Sequence, residues 1–171
     1  IYVWAQSGTT PNCTDESSFT VTINTTPTVA PITNVSACDS YTLPALKIGN
    51  YYSKSGGPST GEGSLMHAGD VITSTRTIYV YTESGERINC SDENSFVVTI
   101  NKTPVVPVIP NVNACNSYTL PKLSVGNYYT GPNGTGPQLK ENDVILTNQT
   151  IYVYAQTATT PNCSDEKSFT V

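Results

Sequence analysis

The chain contains the same block of sequence three times. "IYVWAQSGTTPNCTDESSFTVTIN" at 1–24 returns as "IYVYTESGERINCSDENSFVVTIN" at 78–101 and, without its last three residues, at 151–171. A second block, "ACDSYTLPALKIGNYYS" at 37–53, returns as "ACNSYTLPKLSVGNYYT" at 114–130. The first block recurs after 77 residues and then after 73. A repeat of this length predicts one small structural unit per period and an array of such units.

Each period predicts β-strands rather than helices. Short runs rich in β-branched and aromatic residues, such as "TIYVYTE" and "SFVVTIN", are separated by turns rich in Gly, Pro, Ser and Asn. Alternation places Ile78 and Val80 on one face of a strand and Tyr79 and Tyr81 on the other. The predicted fold class is therefore all-β, with units built as sandwiches or barrels.

Two proline-rich stretches, at 25–33 and 102–110, indicate the boundaries between units, because repeated Pro does not fit a central strand. They divide the chain into three parts. We expect residues 1–26 to be the C-terminal strands of a preceding, incomplete repeat, 27–103 to be a complete repeat, and 104–171 to be a repeat that lacks the end of its last strand. A unit of this size has a thin core and needs additional stabilisation.

The five cysteines follow the repeat: Cys13, Cys90 and Cys163 are equivalent, as are Cys38 and Cys115. They allow Cys13–Cys38 with Cys90–Cys115, or Cys38–Cys90 with Cys115–Cys163. The second pairing is predicted because each bond then lies within a single repeat. Under this pairing, the partner of Cys13 lies outside the chain. Free buried thiols are the alternative, and the absence of CxxC spacing disfavours a metal site. Disulfides predict an oxidising, extracellular location.

No catalytic residue is predicted. The single histidine, His67, aligns with Lys140 in the next period, so no general base recurs. The net charge of −5 and the eight Lys and Arg residues disfavour a nucleic-acid partner. No run of 18 apolar residues is present, so no membrane insertion is expected. These observations favour a protein that is not an enzyme and needs no cofactor.

An acidic pair recurs after each block cysteine, and carboxylates near loops are possible calcium ligands. The weak calcium candidates are Asp15, Glu16, Asp92, Glu93, Asp165 and Glu166. No DxDxDG motif accompanies them, so the favoured roles are turn formation and solubility.

The chain also carries candidate sites for covalent glycans. Asn-x-Ser/Thr sequences occur at Asn12, Asn24, Asn34, Asn89, Asn101, Asn133, Asn148 and Asn162, and Ser40 is a candidate for O-linked sugar. The tyrosine pairs Tyr51–Tyr52 and Tyr128–Tyr129 could stack on a carbohydrate. Packing is the favoured role, with one Tyr of each pair pointing inward and the other outward.

The motifs "SYTLPALKIGNYY", "AGDVI", "TIYVY" and "PNC[ST]DE.SFTVTI" resemble the tandem immunoglobulin-like repeats of very large bacterial surface adhesins, which are associated with gliding and type IX secretion. The resemblance covers essentially the whole chain. It implies immunoglobulin-like β-sandwiches in an extended array, secretion to the cell surface, and neighbouring repeats as the partners within a fibre. It identifies no ligand.

We therefore expect a non-enzymatic structural repeat unit of a secreted extracellular fibre or cell-surface adhesin stalk. One alternative is an immunoglobulin-like module that binds carbohydrate or another ligand, such as a surface glycan, through loops 53–64 and 130–137. A second is a pilus-like subunit assembled by donor strands, in which residues 1–26 complete a neighbour's open sandwich.

Overall fold

The computed structural model describes residues 1–60, 63–85 and 89–171, with the backbone alone described at 59 and 60. These ranges contain fifteen strands, one short 3-10 helix and no α-helix. The prediction of an all-β chain is therefore confirmed. Within the same ranges, no helix is long and apolar enough to cross a membrane.

The elements follow the repeat. The first block forms β1 (Tyr2–Gln6) and β2 (Thr14–Ser18). The following elements are β3 (Val35–Cys38), β4 (Tyr41–Thr42), β5 (Asn50–Tyr52), the 3-10 helix (Gly57–Thr60), β6 (Leu65–Met66), β7 (Val71–Ile72), β8 (Arg76–Glu83) and β9 (Ser91–Asn101). The last elements are β10 (Tyr118–Thr119), β11 (Asn127–Tyr129), β12 (Gln138–Leu139), β13 (Val144–Ile145), β14 (Thr150–Gln156) and β15 (Ser164–Thr170).

The repeat at 27–103 forms a five-stranded sheet in the order β3-β9-β8-β5-β6 and a two-stranded sheet of β4 and β7. β3 runs parallel to the end of β9, where Cys38 lies opposite Asn101. The other pairs are antiparallel. The repeat at 104–171 forms a four-stranded sheet in the order β12-β11-β14-β15 and a two-stranded sheet of β10 and β13. The two repeats therefore share one strand arrangement apart from the β3 position.

Each repeat has its own hydrophobic core. The buried residues of the first core are Val29, Leu43, Tyr51, Ile72, Ile78, Val80, Phe96 and Val98. Those of the second core are Val106, Leu120, Tyr128, Ile145, Ile151, Val153 and Phe169. Both sheets of a repeat contribute to its core, and the two cores lie on opposite sides of Thr103 in the sequence. The exact domain boundaries stay a prediction.

The hairpin of β1 and β2 belongs to neither core. It pairs antiparallel from Tyr2 opposite Ser18 to Gln6 opposite Thr14. All ten strand residues are exposed, and no residue before Val29 is part of either core. The apolar residues that the other copies bury are therefore open to solvent in this hairpin.

Candidate functional site

One disulfide joins the two repeats. Cys38, at the end of β3, is bonded to Cys163, which lies just before β15. The two Cα atoms are 5.6 Å apart, although 125 residues separate them in the sequence. Cys163 is fully buried at this contact. The bond therefore links the first part of one repeat to the closing hairpin of the next.

This bond corrects the predicted pairing, because neither Cys38–Cys90 nor Cys115–Cys163 is formed. Cys38 lies beside Asn101 at the end of β9, whereas Cys90 precedes the start of β9. Eleven residues of extended chain span roughly 36 Å, and a disulfide requires Cα atoms within about 7 Å. The Cys38–Cys90 bond is therefore impossible within a folded repeat.

The same geometry applies to the second repeat. Cys163 lies just before the start of β15. Residue 112, three positions before Cys115, donates its backbone N–H to the Thr170 carbonyl at the end of β15 (2.8 Å). The two cysteines of this repeat are therefore also separated by the length of a strand. The rejected alternative Cys13–Cys38 is also absent, since Cys38 is already bonded. Cys13 and Cys115 are exposed thiols.

Polar contacts support the disulfide. Asp39 accepts hydrogen bonds from the backbone N–H (3.1 Å) and the hydroxyl (2.5 Å) of Thr103. The Asp39 N–H donates to the Asn101 carbonyl (2.8 Å), and the Cys163 sulfur lies 3.8 Å from the same oxygen. The Thr103 hydroxyl and then its N–H hold the Asp39 pKa below the ordinary 3.8. We call this contact between 38–39, 101–103 and Cys163 the repeat joint.

The loop that presents Cys163 is fixed by hydrogen bonds within itself. The Thr157 hydroxyl accepts from the Cys163 N–H (2.9 Å), and the Thr157 N–H donates to the Cys163 carbonyl (2.9 Å). The Thr159 hydroxyl donates to the Pro161 carbonyl (2.9 Å). With its amide oxygen and nitrogen exchanged, the Asn162 side chain, a glycan candidate, donates to the Thr157 carbonyl (3.1 Å). The loop therefore holds the buried cysteine in one position.

The recurring aspartates fasten the first segment of each repeat to its last strand. Asp92 accepts the Val29 N–H (2.7 Å), and Asp165 accepts the Val106 N–H (3.0 Å). Both valines are buried in the cores. The Lys167 ammonium, 3.0 Å away, and then the Val106 N–H keep the pKa of Asp165 below its usual range. These carboxylates therefore have a structural role.

The recurring glutamates fasten loops instead. Glu93 accepts hydrogen bonds from the Ser55 hydroxyl and the Gly56 N–H (2.7 Å), and Glu166 accepts one from the Asn133 N–H. The members of each acidic pair thus bond to different parts of the repeat. In the parts of the chain that the structure describes, no group of three or more His, Cys, Asp or Glu residues could hold a metal ion.

The remaining pair, Asp15 and Glu16, is exposed on β2. His67 is exposed in the turn before β7, where its backbone N–H donates to Asp70 (2.8 Å). In the second repeat, the N–H of the aligned residue Lys140 makes the same bond to Asp143 (2.7 Å). These recurring aspartates stabilise turns, as Asp commonly does.

The glycan candidates differ in their surroundings. Asn34 is exposed, but its side-chain oxygen accepts the Val97 N–H (2.8 Å), and Asn89 donates to Glu83 (2.7 Å). Asn24 and Asn101 are half-buried. The other candidates are exposed: Asn12, Asn133, Asn148, Asn162 and Ser40. Glycosylation stays a prediction, and these positions define where a sugar would be accessible.

The tyrosine pairs are packed. Tyr51, Tyr52 and Tyr128 are buried, which confirms the packing interpretation, and burial raises the pKa of Tyr128 to about 12. Tyr51 is part of the first core, whereas Tyr52 lies on the other face of the sheet, where it is buried edge-on to Tyr81 at 6.0 Å.

The loop backbone covers the Tyr81 ring. A Cβ atom added at Gly57, where φ is +54°, would lie 2.5 Å from that ring. Gly134 (φ +67°) approaches Tyr154 in the same way, at 2.8 Å. These ring faces are therefore already covered by the protein, and a sugar could not stack on them without moving the loops.

A cavity of about 550 Å³ opens at the end of the second repeat, lined by residues 112–114, 116–117, 145–150 and 170–171. Its lining contains no ionisable side chain. General acid–base chemistry requires such a group within reach of the substrate, so this cavity provides no candidate active site.

No protein-family model matches the chain, and no curated protein matches it. The repeat joint is the feature that the sequence pattern missed. The length of the predicted last strand could have revealed it. This strand separates the two cysteine positions of a repeat by more than a disulfide can span.

Proposed function

We propose that the chain is a non-enzymatic structural repeat unit of a secreted extracellular fibre or cell-surface adhesin stalk, composed of tandem immunoglobulin-like β-sandwich repeats. The observation that carries this proposal is the Cys38–Cys163 bond. It connects consecutive repeats covalently at a place where the backbone already connects them. A second covalent connection between units is useful where a protein must keep its length under tension.

The position of the bond determines how force would pass through the chain. Cys38 and Cys163 lie near the two ends of the two-repeat segment, so tension applied at the termini passes through the disulfide. Residues 39–162 are outside this path. If the bond is intact, roughly 430 Å of extended chain stays locked when the folded units are pulled. The disulfide therefore limits extension even if a core unfolds.

The disulfide also supports secretion, since such bonds persist mainly in oxidising compartments outside the cytosol. The exposed surface is compatible with this location, because the chain has only 12% charged residues and is rich in Ser and Thr. The secretion route itself is part of the proposal only through the resemblance in sequence.

Single-molecule stretching tests the mechanical part of the proposal. The chain is attached at both ends and pulled with and without a reducing agent. We expect reduction to add roughly 430 Å to the maximal extension. Cys38→Ser should reach the long extension without reduction, and Cys13→Ser, as the matched control, should behave like the unmodified chain. Equal extension of the oxidised and reduced chains would contradict the proposal.

Immunoelectron microscopy tests the location. Antibodies raised against the folded chain are applied to intact cells that produce the protein. We expect label along filaments or stalks outside the cell envelope. Label that becomes visible only after the cells are opened would contradict secretion, whereas the stretching experiment would still report on the joint.

A further inference from the structure

We propose that Asn133 and Gly134 form a site of spontaneous covalent modification, at which the Asn133 side chain loses ammonia and the residue becomes aspartate or isoaspartate. The co-reactant is water. The two residues lie in the loop 130–137 of the second repeat, which contacts the sheet of that repeat. The inference does not depend on the proposed role in a fibre.

The Asn133–Gly134 pair has the sequence that this reaction favours. The backbone nitrogen of the following residue attacks the side-chain amide carbon of Asn, and glycine obstructs that approach least because it has no side chain. Asn-Gly occurs once in the chain, at this position. The equivalent loop of the first repeat, 53–64, contains no Asn. The reaction in this loop therefore modifies only one of the two repeats.

Both reacting groups are accessible. Asn133 is exposed, and both residues line a cavity of about 390 Å³ that is open to water. Within the described ranges, no hydrogen bond engages the Asn133 side chain or the Gly134 N–H. Asn116 also precedes a small residue, but there the Ser117 N–H donates to the Cys115 carbonyl (2.9 Å). The nitrogen that must attack is therefore free at Gly134 and engaged at Ser117.

A tight turn controls the reaction. φ is 55° at Asn133 and 67° at Gly134, and the Thr135 N–H donates to the Pro132 carbonyl (3.1 Å), which is the pattern of a type I′ turn. In such a turn, ψ of the first central residue is about +30°, and the Gly134 nitrogen then points away from the Asn133 side chain. The reaction therefore proceeds when the turn opens, and the stability of the turn sets its rate.

Glu166 fastens this turn to the sheet. Its carboxylate accepts the Asn133 N–H, and Glu166 lies on β15 opposite Tyr154 of β14. The Gly134 backbone packs on the Tyr154 ring, because a Cβ atom added at Gly134 would lie 2.8 Å from that ring. A hydrogen bond to a charged acceptor is stronger than one between neutral groups. Removing the carboxylate should therefore open the turn more often and speed the modification.

The reaction balances with water as the co-reactant. The Gly134 nitrogen bonds to the side-chain carbonyl carbon of Asn133 and loses its proton, and the side-chain nitrogen leaves as ammonia. The resulting five-membered imide takes up water at one of its two carbonyl carbons. Opening at the side-chain carbon yields aspartate. Opening at the main-chain carbon yields isoaspartate, in which the main chain gains one methylene group. No electrons are transferred.

Both products weaken the contact between the loop and the sheet. Aspartate places a second carboxylate beside Glu166, and like charges repel. Isoaspartate lengthens the turn, so the hydrogen bond between Thr135 and Pro132 loses its geometry. In either case the backbone at Gly134 moves off the Tyr154 ring. The modification therefore releases loop 130–137 and uncovers an aromatic face in the second repeat.

The test uses the full chain, incubated at physiological temperature and mildly alkaline pH. Peptide mass spectrometry at successive times measures the gain of about 1 Da that accompanies the change from amide to carboxyl, and isoaspartate methyltransferase labels the isoaspartate product. We expect the peptide that contains Asn133 to be modified faster than any other Asn peptide, with both products present. Asn133→Gln should remove the methyl label from this peptide. An Asn133 that keeps its amide while a synthetic 130–137 peptide is fully converted would overturn the proposal.

A second set of variants tests control by the turn. Glu166→Ala should speed the modification of Asn133 roughly three- to tenfold. Glu93→Ala is the matched control, because Glu93 holds the equivalent loop of the first repeat, and it should leave the rate at Asn133 unchanged. Glu166→Gln keeps an oxygen acceptor and should react at close to the rate of the chain without substitutions. Equal rates in Glu166→Ala and Glu93→Ala would overturn the proposed role of Glu166.

Hydrogen exchange of the buried Ile151 amide checks that each variant stays folded. Thr135→Val opens the same turn independently of Glu166, because it removes the hydroxyl that donates to the Pro132 carbonyl (2.6 Å). This variant should also speed the modification of Asn133. A folded Thr135→Val chain that reacts no faster than the chain without substitutions would show that the turn does not set the rate.

Discussion

The hairpins at the two ends of the chain have almost the same sequence and lie in opposite environments. In β1–β2, Tyr2 lies opposite Ser18, and in β14–β15, Tyr152 lies opposite Ser168. The loops of both hairpins make the same hydrogen bonds. Yet Phe19 is 52% exposed, whereas its equivalent Phe169 is 2% exposed.

The difference shows which properties are local. Strand pairing and the loop are determined within about twenty residues, so they are the same in both copies. Burial requires a second layer: Phe169 packs with Tyr118 and Tyr128 at 6.3 Å, whereas the β1–β2 hairpin lies against neither core. An isolated two-stranded hairpin is marginally stable in water. The same sequence is therefore a stable part of a core in one place and an uncovered face in the other.

The largest difference between the hairpins should appear when their phenylalanines are truncated. We expect Phe169→Ala to lower the free energy of unfolding of the second repeat by about 3–5 kcal/mol, because it leaves a cavity in a closed core. Phe19→Ala should change the stability of either repeat by less than about 0.5 kcal/mol. Urea denaturation followed by tyrosine fluorescence measures both. Similar losses in the two variants would mean that the first hairpin is covered in solution.

The cysteines should give the next largest difference. Cys163→Ser is expected to lower the free energy of unfolding by about 2–4 kcal/mol, because the unfolded chain loses a long-range constraint. Cys13→Ser removes no bond within the chain and serves as the matched control. Thermal unfolding without reductant measures the effect. A reducing agent should make the unmodified chain as unstable as the Cys163→Ser variant, and a reductant-insensitive melting temperature would refute the disulfide.

Removing the recurring aspartates should produce a smaller difference in stability between the two hairpins. Asp92→Ala removes the acceptor of the Val29 N–H and should cost about 1–2 kcal/mol in the first repeat. Asp15→Ala, at the equivalent exposed position, should have little effect on either repeat. Hydrogen exchange of the Val29 amide reports the contact directly. Unchanged protection of that amide in Asp92→Ala would show that the carboxylate is not what fastens the segment.

The smallest difference concerns pH. The pKa of Asp165 is lowered by the Lys167 ammonium and the Val106 N–H, and Ser17 replaces this lysine in the first hairpin. A lowered pKa stabilises the fold above the ordinary value of 3.8, and this contribution is lost as the pH falls through the folded-state pKa. Urea denaturation at acidic pH should therefore show a shallower loss of stability in Asp165→Asn. Identical pH profiles would contradict the assignment.

Several sequence predictions are confirmed, and the reason is local patterning. Alternation at 78–82 placed Ile78 and Val80 on one face, and both are buried in the first core. Asp70 accepts the His67 N–H three residues before it, a local turn contact that Asp commonly makes.

The predicted disulfide pairing was wrong for a physical reason. Proximity was inferred from membership of one repeat, but the two cysteine positions of a repeat lie at opposite ends of a long strand. The roles of Glu93 and Glu166 were missed because they bond to loops 37 and 33 residues away in the sequence. Such contacts depend on how the loop folds back onto the sheet.

The sequence by itself determined the all-β character, the repeat, the strand faces and the hairpin loops, because these depend on residues within a few positions of one another. Only the tertiary structure decided which hairpins are buried and which cysteines are bonded. Those properties depend on where separate segments meet. Two closely similar sequences, at 1–21 and 151–171, can therefore have one local structure and two different environments.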